Sequence, residues 1–217
     1  MLSIGDFSCF QSQTKSLFVK LPQASLQEGK TLVNTKSGYD LFELLSALQK
    51  CIRRGLEYEA AHFAVELEEF GSSGQTMLWN RLKIMASEDV GPANPFISVL
   101  MDVLHKQYLA EKSKVAESSY RLFMVNAVVC LCRSPKSRIT DDLLNVVYSE
   151  RDSDGKRLPI PDFALDMHTA KGKAMGRGID YFFTEGNKVE NEVFANPYTE
   201  RAKELLKKHG KPDVSSF

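Results

Sequence analysis

The chain reads as an all-α protein, an orthogonally packed array of helices, and three observations predict it. Apolar residues recur with the 3.6-residue period of a buried helix face from Ser37 to about residue 148. Helix start and stop signals alternate along that stretch, with starts at Ser37, Asn94-Pro95 and Thr140 and stops at Gly71, Gly91 and Pro135. Strand signals are few: the run Leu17-Phe18-Val19-Lys20-Leu21, stopped by Pro22, is the clearest.

Residues 1–36 are polar and read as an N-terminal arm, with a helical domain over 37–149 and a C-terminal helical extension over 150–217 packed on it. The first helix is expected from Ser37, where Ser37-x-x-Asp40 resembles a capping box, with Leu41, Leu44, Leu45, Leu48 and Ile52 on its buried face. The second runs from Glu57 to Phe70 on Ala60, Phe63, Ala64 and Leu67, and Gly71 ends it. The third carries Met77, Leu78, Leu82, Ile84 and Met85 and stops near Gly91. Asn94 as N-cap and Pro95 at the first helical position start the fourth, with Phe96, Val99, Leu100, Val103, Leu104 and Tyr108 facing inward. The fifth, Ser118 to Cys132, is apolar on nearly all sides and should be central. Thr140 caps a sixth with Leu143, Leu144 and Val147 on its face. Beyond the charged loop 150–161, Asp162 is read as the cap of a helix from Phe163 to Met175, followed by the aromatic run Tyr181-Phe182-Phe183 and a last helix from Pro197 to Lys208.

At 217 residues the chain has enough apolar side chains for a sizeable core, and its 28 Lys and Arg balance 28 Asp and Glu. That balance excludes a strongly basic nucleic-acid binder, though not a local basic patch. The N-terminus lacks the layout of a signal peptide and no apolar run approaches a membrane span. Cys9, Cys51, Cys130 and Cys132 form no CxxC pair, and His62, His105, His168 and His209 are scattered. Free thiols in a reducing cytoplasm, with no metal and no cofactor, are the expectation, and Met1 suggests a complete chain.

Several short patterns bear on chemistry. Ala24-x-x-x-x-Gly29-Lys30-Thr31 satisfies a permissive phosphate-loop pattern. It lacks the glycine turn before it and a helix after it, so it reads as a chance match in a polar arm. Ser87-Glu88-Asp89 sits at a helix C-terminus, where carboxylates oppose the dipole. The turn therefore needs compensation, from Arg81, Arg53 or a neighbouring helix start, or else it forms an intersubunit contact. Lys50, Arg53 and Arg54 complement the end of the first helix, or belong with Lys136 and Arg138 to a phosphate-contacting patch. Lys171, Lys173 and Arg177 lie among glycines near Tyr181, Phe182 and Phe183. This is either a nucleic-acid contact with base-stacking aromatics or a packed elbow. His168 has no identifiable nucleophile or orienting partner, and Trp79 is read as core or interface.

Three blocks carry a family resemblance. They are Tyr39-Asp40-Leu41 through Lys50-Cys51-Ile52-Arg53, then Arg81-Leu82 to Ala86-Ser87-Glu88-Asp89-Val90-Gly91 with Ala93-Asn94-Pro95, and Ala127-Val128-Val129-Cys130-Leu131 with Ser134-Pro135-Lys136-Ser137. Their order and spacing, over roughly 37–148, resemble the C-terminal helical region of the RarA/MgsA family of AAA+ ATPases, the replication-associated recombination proteins. Beyond residue 148 the likeness fades, as in a stand-alone branch. The resemblance implies a fold like the clamp-loader collar and a non-enzymatic oligomerisation module, typically a homotetramer, tied to DNA replication or repair. A separate replication or repair ATPase is then a natural partner. The interface is expected at the apolar helix faces and around Trp79, Glu88, Asp89, Tyr181 and Phe182. The alternative is direct DNA or RNA binding through Lys50, Arg53, Lys136, Lys171, Lys173 and Arg177.

Overall fold

The computed structural model describes residues 33–114 and 118–210. The arm up to Leu32, with its strand-like run, its phosphate-loop-like pattern and Cys9, lies outside the described residues. The chain divides into two compact units, one ending at Val146 and the other starting at Val147. Among the described residues every regular element is helical, beside one isolated bridge between Asn34 and Asp40.

The first unit holds α1 (Leu41–Arg54), α2 (Glu57–Glu69), α3 (Ser72–Met85), α4 (Ile97–Lys112), α5 (Arg121–Arg133) and the start of α6 (Ile139–Asp152). In α1 the leucine stripe is buried as its spacing predicts, and Gly55, at φ 69°, closes the helix. The N-cap is Asp40, whose carboxylate accepts from the amides of Phe42 and Glu43. Ser37, expected to open the helix, instead donates its hydroxyl to Glu66 of α2 at 2.8 Å. Ala60, Ala64 and Leu67 give α2 a buried face narrow enough to pack against α1, α3 and α5. Gly74 makes the α2–α3 corner possible, because a Cβ there would stand 2.1 Å from the Leu67 carbonyl oxygen.

The register of α4 meets the sequence expectation at Leu104 and Tyr108 and departs from it toward the start of the helix. Ile97, Met101, Leu104 and Tyr108 are buried, whereas Phe96 is 77% exposed and Val99 and Val103 are also exposed. The expected and observed stripes share Leu104 and Tyr108, and the helix is turned so that Tyr108, with its hydrogen-bonding hydroxyl, brings Ile97 and Met101 to the core side. The helix begins at Ile97, and Asn94 caps nothing with its side chain, which donates to Ser134 Oγ. The fifth helix packs on α1, α2, α3 and α4. It is apolar all round but not covered all round, since Leu122 is 71% exposed. Thr140 lies inside α6 rather than capping it, and no residue of α6 is buried, Leu143 and Val147 included.

The core also contains charge. Glu68, 2% exposed, accepts from the Tyr108 hydroxyl at 3.1 Å, from Arg121 Nε at 3.0 Å and from Gln75 Nε2 at 3.2 Å. Burial and the facing Glu68 carboxylate push the Tyr108 hydroxyl well above its usual range. Three donors meet one carboxylate, so its desolvation is offset inside the protein. Trp79 is buried in the same region, stacked on His105 at 4.6 Å and against Tyr108 at 5.3 Å.

The second unit contains a 3-10 turn (Asp162–Ala164), α7 (Ala170–Ala174), α8 (Ile179–Tyr181) running into a π-helical turn (Phe182–Gly186), and α9 (Thr199–His209). The single helix expected from Phe163 to Met175 is absent. The chain folds back instead, so closely that a Cβ at Gly172 would stand 1.9 Å from the Asp166 carbonyl oxygen. Thr169, accepting from the Gly172 amide, caps the short helix that remains.

Partial burial, then the charge of Lys83, hold the His105 imidazole below its usual pKa. The unfolded chain therefore takes up this proton first, and stability is lost as pH falls from above the unfolded value through the folded one. Urea unfolding followed by the fluorescence of Trp79, the one tryptophan, should show lower stability at pH 5 than at pH 8. His105→Gln should shrink that difference, and an unchanged pH dependence in the variant would refute the assignment.

Candidate functional site

The acidic turn is the most organised polar site of the first unit. Where α3 ends, the chain widens into a π-helical turn (Ala86–Val90), closed by Gly91 at φ 50°, whose amide donates to the Ala86 carbonyl. A side chain at Gly91 would meet Thr140 Oγ1 at 3.0 Å, so this glycine also lets the start of α6 approach. Both carboxylates of the turn sit at a helix C-terminus, and Asp89 is 1% exposed.

The compensation has three sources. Arg53, at the end of α1, places Nε 2.6 Å from Asp89 and Nη2 2.7 Å from Glu88. Arg138, just before α6, places Nη1 2.9 Å from Asp89 and also pairs with Asp141. Gln49 donates Nε2 to both Glu88 and Asp89, at 3.0 and 3.1 Å. The Ser137 amide donates to the Asp89 carbonyl at 3.0 Å. One cluster thus ties α1, the end of α3 and the α5–α6 link. Two guanidiniums hold both carboxylates, so the turn works as a clamp and offers no free base.

Lys136 has a comparable internal role. Its Nζ donates to the carbonyls of Leu131, Cys132 and Ser134 at 2.5, 3.0 and 2.7 Å, closing the C-terminus of α5, and burial lowers its pKa. Beside it, burial pushes the Cys132 thiol up to about 11. Cys51, Cys130 and Cys132 are free thiols. Lys50 is exposed and donates to Ser46 Oγ.

In the second unit Arg177 is enclosed rather than offered. Its Nη2 lies 2.7 Å from both Asp162 oxygens, its Nη1 donates to the Asp162 and Leu165 carbonyls, and its guanidinium stacks 4.2 Å from the Tyr181 ring. The Arg177 contact holds the Asp162 carboxyl below its usual range. Asp166 is likewise held down, by His168, whose Nδ1 is 2.9 Å from Oδ2. Phe182 sets its ring edge against His168 and Phe183. Lys171 and Lys173 are exposed on α7.

The sequence-derived residues therefore form no single site. Trp79 is core, Glu88 and Asp89 join Arg53, and Lys136 and Arg177 hold internal acceptors. Tyr181 and Phe182 are half-buried in the second unit. Sequence reasoning missed Gln49 and the clamp role of Arg138. It also missed the Glu68–Tyr108–Arg121 group, whose partners lie 40 and 53 residues apart. Among the described residues no group of three or more His, Cys, Asp or Glu side chains could hold a metal ion.

Removing Asp89 leaves two guanidiniums facing a void, and Asp89→Ala should cost about 3 kcal/mol, the low end for a broken buried pair because both arginines keep partial hydration. Glu88→Ala should cost less, since Glu88 remains partly exposed. Chemical denaturation of the two variants tests this, and equal losses would contradict the clamp.

Comparison with known proteins follows the same stretch. The model described as "MgsA AAA+ ATPase C terminal" matches residues 58–210. The likeness thus does not fade at residue 148, and the second unit is part of the family pattern. The first resembling block, Tyr39 to Arg53, lies before the matched range. The Replication-associated recombination protein A of Bacillus subtilis (strain 168) is 30% identical over 185 residues, 84% of this chain. The chain spans 42% of that relative's length. No helix of the described residues is long and apolar enough to cross a membrane. The chain belongs to the MgsA AAA+ ATPase C-terminal family.

Proposed function

We propose that this chain is a non-catalytic assembly module that self-associates into a closed oligomer, a tetramer in the favoured form, and serves DNA replication or repair. Its setting is the cytoplasm and its natural partner is an ATPase of the RarA type. The family supports the replication and recombination context. The observation that carries the assembly role is the apolar surface left uncovered in the first unit. Phe96, just before α4, and Val99 and Val103 on its outer face are exposed, and α6 has no buried residue at all. Exposed apolar helix faces of this kind mark interaction sites.

Direct nucleic-acid binding draws less support. Arg53, Lys136 and Arg177 are held by internal carboxylates or carbonyls. Lys50, Lys171 and Lys173 remain exposed, too few cations to outweigh a balanced total charge.

Light scattering on the size-fractionated chain, across a concentration series, tests the reading. A closed oligomer that persists on dilution is expected, and a monomer at every concentration would overturn it. Binding to a labelled DNA duplex should be weak at 150 mM salt. A tight complex whose affinity falls steeply with salt would favour the second reading instead.

A further inference from the structure

Two amphipathic helices leave apolar residues exposed: α6, where no residue is buried, and α9, which touches α8 but keeps Leu205 in the open. In α6, Ile139, Leu143, Val146 and Val147 fall within about a quarter turn of the helix, and Leu143 is 61% exposed. The same helix carries Asp141, Asp142, Glu150 and Asp152 against Arg151 alone. Its N-terminal end is anchored, because Arg138 joins Asp141 to the buried Asp89. In α9, Leu205 is exposed, Ala202 and Leu206 lie half-buried beside it, and no residue is fully buried. Its charges run the other way, with Arg201, Lys203, Lys207 and Lys208 against Glu200 and Glu204. Lys203 and Lys207 pair with Asp180 of their own unit, but Lys208 holds no ion pair among the described residues, and neither does Asp142.

Helices of this length are marginal in water unless an apolar face is covered. An α6–α6 contact would bring four carboxylates against four. An α6–α9 contact brings an acidic apolar helix against a basic one. We propose that α9 of one copy docks on the apolar face of α6 of a second copy. The inference rests on the self-association reading and names its surfaces. Two different surfaces meet, so the contact closes either as a reciprocal two-fold pair, which is isologous, or as a heterologous ring.

Leu143→Ser disables the α6 face and Leu205→Ser the α9 face, with circular dichroism as the check that each variant keeps its helices. Each variant alone should run as a monomer by light scattering. An equimolar mixture should double in mass, because one good α6 and one good α9 remain between the two copies and allow one contact. Asp142→Lys or Lys208→Glu alone should raise the concentration of half-dissociation about tenfold, and the two charge reversals combined should restore it. Variants that still oligomerise alone would sink the inference while leaving self-association standing. Monomeric variants whose mixture stays monomeric would also sink it. A wild-type chain that is monomeric throughout would remove both.

Discussion

The buried carboxylate of Asp89 is the constraint that the first unit is arranged around. It is disfavoured twice over, by desolvation and by its place at the negative end of α3. Neither cost is tolerable without nearby cations, and the chain brings two from distant segments. Arg53 arrives on the last turn of α1, where it also complements that helix's own dipole. Arg138 arrives on the link after α5. Satisfying one side chain therefore fixes three segments relative to one another. The Ser137 amide and the close packing of Gly91 on Thr140 hold the backbone to the same arrangement. Glu88 adds a second carboxylate to the cluster, and Gln49 fills the acceptor sites that the arginines leave.

A second buried carboxylate solves the same problem with other elements. Glu68 on α2 draws Tyr108 from α4, Arg121 from α5 and Gln75 from α3. Between them the two clusters touch every helix from α1 to α5. The apolar core between these helices supplies the bulk of the driving force, but apolar packing is tolerant of register. The charged groups are less tolerant, since a one-residue slip would strand a carboxylate without donors. This is the physical reason α4 turns Ile97, Met101, Leu104 and Tyr108 inward rather than Phe96, Val99 and Val103. The second unit shows the contrast. None of its apolar side chains among the described residues is buried, and its form rests on Arg177 enclosed by Asp162, on Asp166 with His168, and on the close approach at Gly172.

What was legible in the sequence was local or forced by electrostatics. The leucine stripe of α1 reads from spacing alone. The pairing of Glu88 and Asp89 with Arg53 reads because carboxylates at a helix end demand a cation, and Arg53 was among the few on offer. Arg138 was not legible in that role, because its partner is 49 residues away and no local pattern links them. The α4 register was ambiguous because both stripes satisfy the helical period, and the choice is made by Glu68 on another helix. Residues 162–175 misled for a similar reason. Their helical propensity is overridden by a backbone approach that only a glycine permits. In α6 the periodicity marks an amphipathic helix, but periodicity does not say whether the covering surface lies in the same chain.

That last distinction shapes how α6 can act. A helix without buried residues gains most of its order when something covers it, so binding and helix stability are linked. Ordering a free helix at the moment of binding would weaken the contact. The bridge from Asp89 through Arg138 to Asp141 reduces that loss by fixing the first turn of α6 in advance. The buried carboxylate of the acidic turn thus acts at one remove. It holds in place the start of the helix whose apolar face is left open.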